Sequence, residues 1–265
     1  MSDPIDTPDP WQALRRFTAA RIALGRAGIS QRTAAQLDFQ LAHARARDAV
    51  HTPLDAAALQ DAIEAAWPKA GPCFTLHSMA ADRTTYLQRP DLGRRLAAPS
   101  RAALAAHQGR DYDLALVIAD GLSSCAVARH AAPLLAALRA RLAADSWSVA
   151  PPAIVLQGRV AIGDEVCELL GARLVVVLIG ERPGLSAPDS MGLYITWAPR
   201  VGLTDERRNC ISNVRPAGLR YDDAAARLHY LLTEARRRRL TGVALKDETQ
   251  ATPALAADAG RNFLL

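Results

Sequence analysis

Two residues have side chains and surroundings suited to contacting a bound ligand. Glu181 directly follows an apolar run, and Cys210 lies within a polar stretch. A carboxylate accepts hydrogen bonds, and a thiol is a small, weakly polar group. Each also has a simpler interpretation, because Glu181 could pair with Arg182 or Arg207 and a free cysteine is more often a small core residue. Both residues are therefore candidates for ligand contact and not for catalysis.

Residue sets that would support catalysis or metal binding are absent from the sequence. Ser123 and Ser124 follow an apolar run, but the string DGLSS lacks the GxSxG pattern of a nucleophile elbow, and a serine helix cap is the favoured interpretation. The six histidines form no HExxH motif, and the four cysteines form no CxxC motif. Neither GxGxxG nor a P-loop sequence occurs. The sequence predicts no catalytic side chain and no metal ligand, and a stand-alone binding module or a serine hydrolase is the alternative.

Three apolar runs of strand length predict the sheet that would position these residues. Residues 113–119, 153–157 and 174–179 are almost purely apolar, and helical patterns separate them. Continuous apolar strands separated by helices are typical of parallel sheets buried on both faces. An alternating strand at residues 192–197 follows, and a last helix covers residues 221–239. We therefore expect an α/β fold with a Rossmann-like, mostly parallel sheet flanked by helices.

The ends of these strands predict where a ligand would bind. In open parallel sheets, ligands lie in a crevice outside the carboxyl ends of the strands. Glycine and small polar residues dominate the segments after the predicted strands, which lets a ligand approach the backbone. The last of these segments belongs to a polar loop at residues 205–218. We expect one crevice built from four segments, which are residues 120–124, 158–163, 180–184 and 207–213.

The first hundred residues have a helical and irregular pattern without long apolar runs. We therefore expect a helical N-terminal region at residues 1–108 and the Rossmann-like domain at residues 109–265. Residues 86–93 are rich in turn formers and are expected to be a connector. The predicted helices run from Pro10 to about residue 24 and over residues 31–49, 52–67 and 101–107.

The charge balance is basic but does not indicate a nucleic-acid partner. Lys and Arg number 32 against 27 Asp and Glu, and only Lys69 and Lys246 are lysines. Four arginines at residues 236–239 end the last predicted helix, where cations favour the dipole, and no aromatic residues interleave with them. We interpret this run as a solvated or interface-facing helix end. Codon bias is the main explanation of the arginine surplus, since Ala and Arg rise together in GC-rich genomes. Protein contacts are a second explanation, because the guanidinium group binds carboxylates bidentately, and the sequence leaves their shares open.

No segment of the sequence indicates a membrane or an export route. No apolar run approaches the roughly 18 residues that a membrane-spanning helix needs. The first ten residues are acidic and proline-rich, unlike a secretory signal. We expect a cytoplasmic location, where cysteines stay reduced.

Seven strings occur in order between about residues 10 and 240. They are ARIALGRAG (20–28), DFQLAHARARD (38–48), YLQRPDLGRR (86–95), LVIADGLS (116–123), GRVAIGD (158–164), IGERPGL (179–185) and RNCISN (208–213). Taken together they resemble the small (light) subunits of ethanolamine ammonia-lyase, an adenosylcobalamin-dependent enzyme family.

The resemblance implies that the chain is one half of an enzyme. In that family a large barrel subunit holds the substrate, and adenosylcobalamin lies between the large and the small subunit. The radical chemistry of the cofactor converts ethanolamine to acetaldehyde and ammonia. The small subunit contacts the corrin and its nucleotide tail, and its N-terminal helices serve assembly. Packing in a bacterial microcompartment is compatible with the resemblance but is not decided by it.

The resemblance also implies three cofactor contacts. They fall on Val160 in GRVAIGD, Glu181 in IGERPGL and Cys210 in RNCISN. Val160 would contact the corrin, Glu181 would accept a hydrogen bond from a cofactor amide or the ribose, and Cys210 would pack as a small group. No histidine follows an aspartate by two positions, so the DxHxxG motif is missing and the cobalt would keep the cofactor's own base. No catalytic side chain and no metal ligand are expected from this chain.

Overall fold

The computed structural model describes residues 6–7, 9–107 and 110–249, and a six-stranded sheet forms its centre. Two further short strands, near the N-terminus, pair only with each other. The strands in chain order are β1 (Asp6–Thr7), β2 (Arg26–Ala27), β3 (Phe74–His77), β4 (Tyr112–Ala119), β5 (Ala153–Leu156), β6 (Ala172–Gly180), β7 (Met191–Trp197) and β8 (Asn209–Val214).

The described residues form seven α-helices, of which α2, α4, α5, α6 and α7 pack on the sheet. The two longest in the sheet-bearing part, α5 and α7, pack together on one face with α2, and α4 and α6 cover the other face. The helices in chain order are α1 (Thr33–His51), α2 (Ala56–Ala66), α3 (Arg83–Gln88), α4 (Ala98–Ala105), α5 (Ser124–Leu142), α6 (Ile162–Leu170) and α7 (Tyr221–Arg238).

The sheet is mostly parallel, with the strand order β3-β5-β4-β6-β7-β8. β3, β5, β4 and β6 are parallel, whereas β7 pairs antiparallel with β6 and β8 pairs antiparallel with β7. Helices on both faces of such a sheet confirm the predicted α/β class. The carboxyl ends of β4, β5 and β6 meet at one edge, as the apolar runs predicted.

The two central strands are long apolar runs because both of their faces are buried. Side chains of β4 alternate between the faces, so that Leu114 and Leu116 pack toward α5 while Ala115 and Val117 pack toward α6. All four are fully buried. A strand with two buried faces needs no polar alternation, which explains why these strands could be identified from the sequence.

Two strands at the edges of the sheet were not predicted. β3 has only four residues and lies in the region expected to be helical, and it pairs with β5 on one side only. β8 lies inside the segment predicted as a polar loop, so the loop prediction at residues 205–218 was wrong there. An edge strand with one solvated face carries polar residues, and only Ile211 and Val214 of β8 are buried. A register shift in β7 between Met191 and Leu193 accounts for the spacing of these two buried residues.

The fourth predicted strand runs against its neighbours. β7 is antiparallel to β6, so the loop that follows Trp197 begins at the end of the sheet opposite to the carboxyl ends of β4, β5 and β6. The expectation that this loop starts beside the crevice was therefore wrong. The chain returns along β8, whose last residue, Val214, pairs with Met191 and lies beside the end of β6.

The N-terminal helices agree only in part with their predictions. The helices expected over residues 31–49 and 52–67 are α1 and α2, but the first predicted helix is a 3-10 helix that covers only Pro10–Phe17. An apolar stripe alone does not hold a helix, since most helical stability comes from packing that stripe against a partner surface. Residues 86–93 include the end of α3, and the predicted boundary between residues 108 and 109 lies outside the described residues.

Candidate ligand crevice at the carboxyl ends of the strands

A cavity of about 240 Å³ opens where the parallel strands end. Val160 lines it from the loop after β5, and Glu181 lines it from the segment after β6. The two residues that the sequence placed in separate segments therefore meet at one cavity. The other lining residues are Tyr86, Leu122, Arg159, Ile179, Gly180, Arg182 and Tyr194.

Two glycines allow the backbone segments behind this cavity to approach each other closely. A Cβ atom on Gly180 would lie 2.0 Å from the carbonyl oxygen of Ser123, and one on Gly121 would lie 2.3 Å from the carbonyl oxygen of Gly180. Gly121 also has a φ of +60°, which other residues rarely adopt. The turn after β4 therefore packs directly on the end of β6.

A buried carboxylate at the end of β4 holds the loop that carries Val160. Asp120 accepts hydrogen bonds from the backbone amides of Gln157 at 2.9 Å and of Gly158 at 3.0 Å. The Arg83 guanidinium lies 3.8 Å from the same carboxylate. Burial raises the pKa of Asp120, and the amides and Arg83 oppose that shift. Asp120 thus orients the start of the crevice loop without lining the cavity.

Tyr86 lines the cavity and lies close to two guanidinium groups. The Arg83 guanidinium lies 4.7 Å and that of Arg159 lies 4.1 Å from the ring centroid, and the Tyr86 hydroxyl donates to the carbonyl oxygen of Gly158 at 3.2 Å. Stacked arginines stabilise such an arrangement through the negative face of the ring. Burial raises the pKa of Tyr86 to about 12, so the phenol stays protonated as a donor. Arg159 Nε is buried without a hydrogen-bond partner in the described structure.

Glu181 is oriented by hydrogen bonds and not by an ion pair with Arg182 or Arg207. Its Oε2 accepts from the hydroxyl of Ser190 and from the backbone amide of Asn213 at 3.2 Å. A Cβ atom at Gly192 would lie 3.0 Å from Oε1, so a larger residue on the strand beside this carboxylate would require the Glu181 side chain to shift. The carboxylate of Glu181 is therefore held in a defined position at the cavity wall.

Cys210 lies near the cavity but does not line it. It is exposed on β8 and pairs across the strands with Tyr194, whose side chain does line the cavity. Burial, together with the neighbouring Cys210 and Glu181, raises the pKa of Tyr194. The structure thus brings Val160 and Glu181 together and leaves Cys210 one strand further out.

A second cavity, of about 600 Å³, continues the crevice. It shares Arg159 and Val160 with the first cavity, and the loop after β7 contributes residues from Val201 to Asp205. Arg94 and Arg95 add positive charge to its wall, and Arg95 forms an ion pair with Glu165 at 3.1 Å. The crevice therefore extends from Glu181 past Val160 to the loop after β7.

The serines of the hydrolase alternative are buried and already bonded. The hydroxyl of Ser123 donates to the carbonyl oxygen of Pro188 at 2.8 Å, and that of Ser124 donates to the carbonyl oxygen of Thr52 at 2.5 Å. Neither hydroxyl caps α5, so the predicted side-chain cap was wrong, although Ser123 occupies the N-cap position. No histidine is bonded to either serine within the described residues, so this arrangement offers no activated nucleophile.

Other functional interpretations find little support in the structure. Among the residues described, no three or more His, Cys, Asp or Glu side chains cluster as a metal site would require, and no helix there is long and apolar enough to span a membrane. Arg237 and Arg238 both bind Glu234, and Arg236 stacks on Trp147 at 4.7 Å. Within the described part of this helix end, these three arginines thus contact the protein itself.

Sequence reasoning missed several residues that build the crevice. Tyr86 and Arg159 lie in two of the strings that carried the resemblance, YLQRPDLGRR and GRVAIGD, but nothing in those strings shows that their side chains stack. Tyr194 could have been found as an outward residue of the alternating strand. Asp120 was noted only as part of a turn, and a lone acid after a strand has no distinctive spacing.

The structure defines an α/β protein with a crevice at the carboxyl ends of its parallel strands. A family profile described as ethanolamine ammonia-lyase light chain (EutC) matches residues 8–246. The chain therefore belongs to the ethanolamine ammonia-lyase light-chain family, as the seven strings indicated. Membership makes it a subunit of an enzyme of the lyase class.

Full-length relatives agree with this membership. An ethanolamine ammonia-lyase small subunit from Ralstonia nicotianae is 61% identical over 263 residues, which cover 98% of this chain and 95% of that protein. One from Azotobacter vinelandii is 60% identical over 263 residues, covering 98% and 96%. One from Pseudomonas aeruginosa is 58% identical over 262 residues, covering 97% and 94%.

Proposed function

We propose that this chain binds adenosylcobalamin in the crevice at the carboxyl ends of the strands, as the small subunit of an ethanolamine ammonia-lyase. The observation that carries the proposal is the meeting of Val160 and Glu181 at one cavity. The family contacts assigned to these residues come from separate strings, and a common ligand explains why both line the same space.

The donor and acceptor groups of the crevice fit this cofactor. Cobalamin presents apolar corrin edges, amide side chains, a ribose and a phosphodiester. Val160 and Ile179 offer apolar surface, Glu181 offers a fixed acceptor, and Arg159 Nε is a buried donor without a partner in the described structure. An unpartnered buried donor is unfavourable, so a ligand acceptor at this point would stabilise the site.

The residues of this chain bind, orient and shield, while the bound cofactor supplies the radical chemistry. Val160 contacts the corrin through its side chain or backbone. Glu181 accepts a hydrogen bond from an amide or the ribose through Oε1, which accepts none from the described residues. Cys210 packs at the outer margin beside Tyr194. No side chain of this chain acts as an acid or base in the reaction, and none ligates the metal.

The cofactor is larger than either cavity, so a second surface must cover it. We propose that the large subunit provides this surface and also covers the apolar N-terminal segment. Trp11, Phe17 and Ile29 are mostly exposed there, and patches of this kind mark protein interfaces. We expect residues 109–265 to hold the cofactor together with the crevice residues Tyr86, Arg94 and Arg95, and the remainder of residues 1–108 to serve assembly. We expect the complex in the cytoplasm, and packing in a microcompartment remains a prediction.

The test is cofactor-dependent turnover of the reconstituted complex. The chain alone and the chain with its large subunit receive ethanolamine and increasing adenosylcobalamin, and acetaldehyde release is measured. We expect release only from the complex with cofactor. Turnover by the chain alone, or a complex that needs no cobalamin, would contradict the proposal.

Glu181→Ala tests the site within that complex. Loss of a hydrogen bond to a charged acceptor reduces affinity by about 10-fold or more. We expect the half-saturating concentration of adenosylcobalamin to rise by that factor, while the KM for ethanolamine at saturating cofactor changes less than about 2-fold. Glu168→Ala is the matched control, because Glu168 is exposed near the end of α6. An unchanged cofactor titration removes Glu181 from the site.

A further inference from the structure

Arg208 and Asp164 form a bidentate ion pair inside the protein. Arg208 Nη1 and Nη2 lie 2.7 Å from Asp164 Oδ1 and Oδ2, respectively. Both side chains are 99% removed from solvent, with 1% of each exposed. In the described structure no other ion pair has both partners this deeply buried.

The pair joins α6, which follows the crevice loop of Val160, to the start of β8, the strand that carries Cys210. Asp164 lies in the first turn of α6, four residues after Val160, and Arg208 immediately precedes β8, two residues before Cys210. Arg208 also donates to the Thr196 hydroxyl on β7 at 3.0 Å. One guanidinium thus connects the loop of one candidate contact with the strand of another.

Arg208 further holds the loop that lines the second cavity. Its Nη2 donates to the carbonyl oxygen of Leu203 at 3.3 Å, and its Nε lies 3.3 Å from the exposed carboxylate of Asp205. Leu203 and Asp205 both line that cavity. The planar guanidinium fork therefore determines the relative position of three crevice segments.

A buried ion pair is weak evidence for stability, because desolvation offsets the attraction between the charges. Apolar side chains of similar volume often stabilise a protein as well or better at such a position. The ion pair fixes the relative position of the segments that carry Arg208 and Asp164, which apolar side chains would not do. The pair lies beside the crevice and does not line either cavity.

We propose that the Arg208–Asp164 pair is a positioning device that sets the distance between the Val160 wall of the crevice and the loop after β7, which lines the second cavity. Arg208 and Asp164 act on cofactor binding through these segments and do not touch the cofactor. The inference rests on the proposed function.

The test compares cofactor affinity with folding stability in variants of the full complex. Asp164→Leu with Arg208→Met replaces the pair by apolar side chains, and Arg208→Lys keeps the charge but removes the planar fork. Binding of cyanocobalamin, an inert analogue, is measured by equilibrium dialysis, and urea midpoints are measured on the same samples. We expect the double variant to bind at least about 10-fold more weakly, with a urea midpoint equal to or above that of Arg208→Met alone.

Arg208→Lys decides the outcome if the double variant does not fold. We expect this variant to assemble and to bind about 3-fold or more weakly, with the ethanolamine KM at saturating adenosylcobalamin unchanged. The control replaces the exposed pair of Arg173 and Asp111 by Met and Leu and is expected to bind as the unaltered complex does.

This design distinguishes a failure of the proposed function from a failure of the positioning role of the pair. If the unaltered complex binds no cobalamin, the proposed function itself fails. If it binds and a folded double variant, or Arg208→Lys, binds equally well, the pair is only structural and the inference is overturned.

Discussion

The N-terminal segment at residues 9–51 exposes most of its large apolar side chains, whereas the sheet region that follows it buries most of its own. The central strands bury almost every apolar side chain they carry, and α5 buries its valine and all of its leucines. Helix α1 buries only Ala42 and Ala49. Of the eleven large apolar side chains exposed in the described structure, eight lie between Trp11 and Leu41. The two regions therefore differ in where their apolar residues find a partner.

This difference indicates which region folds by itself. The sheet region has its own core on both faces, as an independent domain requires. Within the described structure the N-terminal segment buries few apolar side chains, and most helical stability comes from packing an apolar face against another surface. A segment of this kind is suited to a chain that assembles with a further subunit.

The regions are joined by hydrogen bonds to backbone carbonyls just at the end of α1. Arg83 Nε donates to the carbonyl oxygen of Val50 at 2.6 Å, and the Ser124 hydroxyl donates to that of Thr52 at 2.5 Å. Arg83 also approaches Asp120 behind the crevice. The attachment of the N-terminal segment and the support of the crevice therefore share one arginine.

The largest expected effect is a loss of stability in the sheet region. Leu116→Ala leaves a cavity beneath α5, where Leu116 is fully buried, and should lower the free energy of unfolding by about 3 kcal/mol. Urea unfolding of the full chain measures this value. Leu37→Ala is the matched control on exposed α1, and its effect should stay below about 0.5 kcal/mol. Equal effects of the two substitutions would remove the distinction between the regions.

The next largest expected effect is weaker assembly with the large subunit when the N-terminal segment is altered. Replacing Trp11, Phe17 and Ile29 together by serine should weaken assembly with the large subunit by about 100-fold, or ~2.7 kcal/mol, because exposed aromatic residues commonly anchor interfaces. Analytical ultracentrifugation of the mixed subunits measures the affinity. Met79→Ser with Val243→Ser is the control outside this segment. Unchanged assembly of the triple variant would show that the segment serves another partner.

A smaller effect is expected where the end of α1 is hydrogen-bonded to the sheet region. Ser124→Ala removes a buried donor from the carbonyl oxygen of Thr52 and should lower stability by about 1 kcal/mol. Hydrogen exchange should become faster in α1 while the amides of β4 and β6 keep their protection. Uniformly faster exchange would mean that the hydrogen bond stabilises the whole chain and not specifically the attachment of α1. Retained enzyme turnover would also exclude Ser124 as a nucleophile.

The smallest effect is a pH dependence confined to the sheet region. His130 is buried on α5, with Nδ1 2.8 Å from the Tyr221 hydroxyl, and burial lowers its pKa below the ordinary value of 6.5. The unfolded chain therefore binds a proton near pH 6.5 while the folded chain does not, so stability is full above that pH and falls as the pH decreases.

His130→Asn should reduce the loss of stability between pH 7 and pH 5 by about 1 kcal/mol or less. Urea midpoints across that range provide the measurement, and His43→Asn, at an exposed position, is the control. An identical slope in the His130→Asn variant and the unaltered chain would show that this histidine does not contribute.

The sequence alone determined the buried centre of the fold and part of the site. β4, β5 and β6 are apolar runs because both faces of each are covered, so their ends, and with them Glu181 after β6, could be placed at one edge. Val160 was assigned by the family resemblance alone, and the structure places it at the same cavity. The strand ends could be placed because burial on two faces leaves a pattern that needs no knowledge of distant residues.

Tertiary structure alone decided the edges of the sheet and the support of the crevice. β3 and β8 are strands only because β5 and β7 offer hydrogen bonds, and their short or polar sequences do not show it. The bonds from Asp120 to the loop after β5 and from Arg208 to Asp164 join residues 37 to 44 positions apart. Single charged residues carry no periodicity, so only the folded chain determines which of them meet.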